Sequence, residues 1–183
     1  METRRILLDG EPAEVTLQGD VLVTSDGRHV PIEGTTHLTP VQPSKIICIH
    51  LNYESRVKEF LATPPPAPTY FHKPVTALNA HDGDVIRPPR CRFLNYEGEI
   101  AIVIGRECRH IRPDEAVEYI AGYSVANDFG LHDFRDTDAG SMLRVKGSDT
   151  LCPLGPGLVA AGDWQPAGKR IRTLVNGEVR QDA

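Results

Sequence analysis

Asn95-Tyr96-Glu97-Gly98-Glu99-Ile100-Ala101-Ile102-Val103-Ile104-Gly105 is the stretch on which the reading of this chain turns. Three isoleucines and a valine follow two acids, a make-up that predicts a β-strand covered on both faces. Side chains alternate across a strand, so Glu97 and Glu99 share one face, roughly 6–7 Å apart at their Cα atoms, while Gly98 points the other way. Two like charges beside a buried strand repel, and the repulsion grows as water is excluded, so something positive belongs between them. A hard cation satisfies that need, and so does a lysine or arginine. A Glu-x-Glu pair is also common as plain solvated charge. Asp128 ends a second apolar run, Tyr123-Ser124-Val125-Ala126-Asn127-Asp128, and is the candidate third oxygen ligand. An all-carboxylate set with no paired cysteine or histidine favours Mg²⁺ or Mn²⁺, with Ca²⁺ as a further candidate, over zinc or copper.

Outward from this stretch, 183 residues suffice for one fair-sized core. A net charge of −5 without a Lys/Arg cluster excludes a nucleic-acid-binding surface. No apolar run approaches a membrane span, and the charged start Met1-Glu2-Thr3-Arg4-Arg5 lacks the apolar core of a signal peptide, which predicts a cytoplasmic protein with no membrane partner. Cys48, Cys91, Cys108 and Cys152 are scattered, so reduced thiols are expected rather than zinc ligands or disulfides.

The first forty residues alternate short β-prone runs with Asp9-Gly10, Gly19-Asp20 and Asp26-Gly27 turns, predicting a small antiparallel meander over 1–40 and a β-rich catalytic domain over 41–183. Strands are expected at 45–50, 85–86, 99–104 and 123–126, with a short helix-compatible piece at 54–61. Pro113 in a first-turn position, early acids and helical spacing predict a helix over 113–120. Leu174-Val175-Asn176-Gly177-Glu178-Val179 reads as a hairpin. The chain stops just after it, which predicts a fold truncated at the C-terminus.

With these motifs in hand, the chain resembles the fumarylacetoacetate hydrolase family from Lys45 onward. The resemblance rests on Lys45 to Tyr53 with its Asn52-Tyr53 turn, Phe71-His72-Lys73-Pro74, Glu97-Gly98-Glu99, Asn127-Asp128, Val145-Lys146-Gly147 and Pro153-Leu154-Gly155-Pro156. Residues 127–135, Asn-Asp-Phe-Gly-Leu-His-Asp-Phe-Arg, are similar to the family's isomerase/decarboxylase branch of homoprotocatechuate meta-cleavage. The resemblance implies a mostly β fold with a few short helices, built as a mixed β-roll, and a homodimer. It also implies Mg²⁺ or Mn²⁺ on Glu97, Glu99 and Asp128, holding a 2-oxo or 2-hydroxy acid. The substrates it suggests are 5-oxopent-3-ene-1,2,5-tricarboxylate and 2-hydroxyhepta-2,4-dienedioate. An acylpyruvate-type C–C hydrolase, an oxaloacetate decarboxylase and a metal-stabilised assembly module without activity are the alternatives.

Departures from the family pattern narrow the chemistry. Many hydrolases of the family carry a histidine three residues after the tyrosine of Asn-Tyr, paired with a glutamate. Here Arg56 stands at that place and Glu59 keeps the acid. A guanidinium stays protonated and cannot serve as a general base, so hydrolysis becomes the less favoured reaction. Arg56 can instead clamp a remote substrate carboxylate, or simply pair with a surface acid. Where the family pattern has Ser-x-Arg-Asp, this chain has Gly130-Leu131-His132-Asp133 and then Arg135, so His132 and Arg135 are expected to share the arginine's work. His132 is a candidate proton shuttle, with a structural histidine held by Asp133 as its competing role. Lys146 is expected to stabilise an enolate oxygen or to move protons with a lowered pKa. Lys73 is expected to contact substrate or support the loop before Pro74.

Overall fold

The computed structural model describes residues 1–138 and 140–183. Its strands are β1 (Glu2–Leu8), β2 (Glu11–Gln18), β3 (Val21–Thr24), β4 (His29–Pro31), β5 (His37–Leu38) and β6 (Ile46–Ile49), then helix α1 (Glu54–Glu59) and strand β7 (Tyr70–Lys73). The chain continues through β8 (Leu78–Asn79), β9 (Leu94–Asn95), β10 (Gly98–Ile104), β11 (Ile120–Asn127), β12 (Gly130–Leu131), helix α2 (Leu143–Lys146), β13 (Cys152–Pro153), β14 (Gly157–Ala160), β15 (Arg172–Val175) and β16 (Glu178–Asp182).

The glycine turns fold the first four strands back on one another, as expected, in the order β1-β2-β3-β4. Alternation sends Ile6, Val15, Leu22 and Val30 into one buried cluster. On its other side β1 pairs antiparallel with β14, which pairs with β11, which pairs with β10, so a single sheet runs across residue 40 without a break. A second cluster, Cys91, Leu131 and Leu151 with Phe129 and Phe134 against it, lies beneath the candidate site.

Three sequence expectations change here. Among the described residues strand β10 is the end strand of its sheet, paired with β11 alone, and Ile102 and Ile104 are 54 % and 56 % exposed, so it is not covered on both faces. Residues 113–120 form a turn and a short 3₁₀ segment, Ala116–Tyr119, instead of an α-helix, because Ile120 already enters β11 and leaves room for little more than one turn. Val85 and Ile86 form no strand. The Ile86 N–H donates to Thr150 Oγ1 at 2.8 Å, and the two prolines that follow cannot offer ladder donors. The hairpin at 172–182 forms around Asn176 and Gly177, both at positive φ. Among the described residues, no helix is long and apolar enough to cross a membrane.

Candidate active site

The β10–β11 register builds the acidic cluster. Gly98 stands opposite Asn127 and Glu99 opposite Ala126, so continuing one step puts Asp128 beside Glu97. The Asp128 N–H donates to the Glu97 carbonyl at 2.8 Å, and the Glu97 N–H donates to Asn127 Oδ1 at 2.9 Å, which closes the end of the ladder. The side-chain amide of Asn95 donates to Glu97 Oε1 at 2.9 Å and turns that carboxylate inward.

Two lysines arrive from other elements. Lys73, the last residue of β7, is wholly buried and donates to Asp128 Oδ1 and, at 3.2 Å, to the Phe129 carbonyl. Its ammonium braces Asp128 from below the surface, so in this structure Lys73 supports the acidic cluster and presents no exposed atom of its own. Lys146, the last residue of α2, meets Glu97 Oε2 at 2.8 Å, Asp128 Oδ2 at 2.9 Å and the Asp128 carbonyl at 2.9 Å. Gly130 lets it through, since a Cβ there would sit 3.3 Å from the Lys146 Cε and Nζ. Burial alone would drive the proton off Lys146, but Asp128 and Glu97 outweigh it and hold the ammonium's pKa above its ordinary value. The expectation of a lowered lysine pKa is therefore reversed.

Glu99 reports the remaining imbalance. Burial pushes its pKa up to about 7 against the help of the Tyr53 hydroxyl, and the charges on Glu97 and Asp128 add to the rise. Tyr53, just ahead of α1, is itself pushed up to about 12 by burial and by Glu99. Three carboxylates face two ammoniums, so among the described residues the cluster carries more negative than positive charge.

The expected three-acid grip on a cation is not preassembled. Among the described residues no three His, Cys, Asp or Glu side chains form a group ready to hold a metal ion, because the Lys146 ammonium stands between Glu97 and Asp128. The donor chemistry nevertheless fits a hard divalent cation: every donor is oxygen, the cluster carries surplus negative charge, and Glu99 cannot ionise fully near neutrality without further positive charge.

Around the cluster, His132 opens a 3₁₀ segment, His132–Thr137, directly after β12. Asp133 does not hold it. That carboxylate accepts the N–H groups of Arg92 and Phe93 at 2.8 and 2.6 Å, leaving the imidazole beside the Phe93 ring, 6.1 Å between centroids. Burial lowers the His132 pKa, Glu97 opposes the shift, and Lys146, Arg135 and Arg56 reinforce it. Arg56 donates to Glu59 Oε2 at 2.6 Å across one turn of α1, so both are engaged with each other on a largely exposed helix. The sequence reading missed Tyr53 as Glu99's neighbour, and Phe60, which carries the guanidiniums of Arg56 and Arg135 at 4.1 and 5.8 Å from its ring centroid. Phe60 was findable: it lies four residues after Arg56 at helical spacing.

A β-roll with an oxygen-only acidic centre braced by buried lysines is the class that fold and site define. The family model for the fumarylacetoacetate (FAA) hydrolase C-terminal domain matches residues 45–183, and the chain belongs to this family, whose characterised members are enzymes. It is 37 % identical over 140 residues to the 4-hydroxyphenylacetate degradation bifunctional isomerase/decarboxylase of Salmonella dublin, covering 75 % of this chain and 32 % of that protein. The crystal structure of 5-carboxymethyl-2-hydroxymuconate delta-isomerase from Mycobacterium smegmatis superposes with a TM-score of 0.88 at 36 % identity, covering 100 % of this chain and 74 % of the other. The fold is shared as well by maleylpyruvate hydrolase from Sphingobium sp. SYK-6, solved with manganese(II) and pyruvate, at a TM-score of 0.82, 24 % identity, and 100 % and 76 % coverage. The chain spans 62–68 % of the length of three of the curated relatives that it matches over most of its own length and 49–57 % of four others.

Proposed function

We propose that the chain carries the site of a divalent-metal-dependent enzyme that decarboxylates or isomerises unsaturated 2-oxo or 2-hydroxy di- and tricarboxylic acids. The observation that carries this reading is the convergence of Glu97 and Asp128 on one ammonium, at 2.8 and 2.9 Å, with the half-buried Glu99 two residues further along and its pKa pushed up to about 7 by burial and by those two charges. These three acids would hold Mg²⁺ or Mn²⁺, and the ion would supply a fixed positive charge that draws electrons from a bound keto acid.

The chain's own residues do the rest. In a substrate whose departing carboxylate is conjugated to the ketone, loss of CO₂ sends an electron pair toward the C2 oxygen, and no nucleophile is required. Reprotonation at a different carbon moves the double bond, so decarboxylation and isomerisation need the same groups. His132, with its pKa lowered by burial, is neutral at pH 7 and able to take up a proton at a ring nitrogen and return it. Lys146 places a permanent positive charge beside the acids, and its three N–H groups keep Glu97 and Asp128 converged. Arg56 and Arg135 supply positive charge at the outer side for a second carboxylate. Hydrolysis is disfavoured because Arg56 cannot accept a proton from water and its guanidinium already occupies the Glu59 carboxylate at 2.6 Å.

The test removes metal with a chelator, then returns Mg²⁺ or Mn²⁺ while the ultraviolet absorbance of 2-hydroxyhepta-2,4-dienedioate and the melting temperature are followed. At about 100 times the Kd, the ion raises the melting temperature by about 5–10 °C, and the absorbance changes only with metal present. Glu97→Gln removes both responses. A melting shift without turnover supports a metal-stabilised assembly module instead, and neither response refutes the metal site.

A further inference from the structure

We propose that Phe60 is a positioning residue that gathers Arg56 and Arg135 into one receptor for the distal carboxylate of a dicarboxylic acid; this rests on the keto-acid reading above. Phe60 closes α1, its N–H donating to the Arg56 carbonyl at 3.1 Å, and the residue remains 43 % exposed. The Arg56 guanidinium, from the same helix, lies 4.1 Å from the ring centroid, while that of Arg135, from the segment after β12, lies 5.8 Å away.

The two cations come from parts of the chain 79 positions apart by number, and this ring is the contact they share. A guanidinium lying against an aromatic face keeps its in-plane N–H groups free, so both can present paired donors outward. Glu59 engages Arg56, whereas Arg135 forms no ion pair with an acid among the described residues. One net positive charge therefore stands over the ring. An incoming carboxylate competes with Glu59 for Arg56 and meets an unopposed Arg135, a combination that rejects a neutral methyl end. His132 begins the segment that carries Arg135 and lies within electrostatic reach of both arginines as well as of Glu97 and Lys146. The charges of both arginines and of the acidic cluster are thus felt at one imidazole, which puts the ring and the cluster on the same side of the chain's candidate site.

The experiment measures binding by calorimetry, with Mg²⁺ present, of 2-oxoadipate against 2-oxohexanoate, which differ in the far carboxylate. The wild-type chain binds the diacid more tightly. Phe60→Ala weakens 2-oxoadipate about tenfold while leaving 2-oxohexanoate unchanged, and Phe60→Trp restores the preference. A folded Phe60→Ala protein that keeps the wild-type ratio overturns the role of Phe60. A wild-type ratio of one overturns the receptor altogether. Diacid preference with no turnover of the dienedioate leaves the receptor standing and refutes only the proposed reaction.

Discussion

Lys146 commits all three of its N–H groups, two to the carboxylates of Glu97 and Asp128 and one to the Asp128 carbonyl, at 2.8–2.9 Å. Such a residue acts as a fixed charge rather than a mobile proton carrier. Taking it away leaves two inward-facing acids beside an already strained Glu99. Lys146→Met should therefore cost about 3–5 kcal/mol of stability, seen as a fall in the urea midpoint, with Lys146→Arg recovering much of the loss. Equal stability of Lys146→Met and wild type would mean that the ion pairs contribute nothing. His37 gives a prediction of opposite chemistry. It is 6 % exposed on β5, its Nδ1 finds no hydrogen-bond partner among the described residues, and its ring stacks edge-on to His81 at 5.1 Å. Burial, then the charges of His81 and Arg4, lower its pKa, while Asp82 and Glu2 partly oppose them. The folded state thus refuses a proton that the unfolded chain accepts below about pH 6.5. Stability contributed by neutral His37 is present above that pH and is lost as pH falls. Glu99, with its pKa pushed up to about 7, gains stability over the same fall in pH, so the reading is a difference: between pH 7.5 and 5 the denaturation midpoint of the wild type should fall relative to that of His37→Leu, and an identical pH dependence in the two proteins would assign the effect elsewhere.

At the scale of elements, the β15–β16 hairpin is joined to β10 by a side chain imitating a strand. Gln181 accepts the Gly98 N–H through Oε1 and donates to the Gly98 carbonyl through Nε2, both at 2.8 Å. Gly98 is required because a Cβ there would collide with Thr173 Oγ1 and crowd Gln181 Oε1 at 3.2 Å. Gly98→Ala should push the hairpin away, cost about 1–3 kcal/mol, and speed amide exchange across 172–182 while β1–β4 stays protected. Unchanged exchange in the hairpin would show that Gln181 is not what holds it. This role for Gly98 was half visible in the sequence, since alternation turns it away from the two glutamates. What it faces depended on a hairpin more than seventy residues later. The misread helix at 113–120 has the same origin: its composition suits a helix, but the strand beginning at Ile120 and the bond from the Gly105 N–H to the Tyr119 carbonyl, 2.8 Å, capture its end.

For the molecule as a whole, the sheet that begins with the N-terminal meander ends at β10, so the stability of the first forty residues and the placement of Glu97 and Glu99 are mechanically connected. Sequence alone determined the meander, the closing hairpin and the family, because each rests on local periodicity, turn residues or contiguous motifs, whereas Glu97 falls one residue ahead of the strand that carries Glu99. Register made Asp128 the neighbour of Glu97, and that too was approachable from the pattern of the two apolar runs. Only the tertiary structure decided that Lys73 is a buried brace, that Lys146 stands between two acids with its proton held more tightly, that Asp133 turns away from His132, and that Phe60 collects two arginines. Each of these depends on groups distant in sequence meeting in a site with little water. There the balance between desolvation and a few close charges sets protonation and role, and local sequence carries no record of that balance.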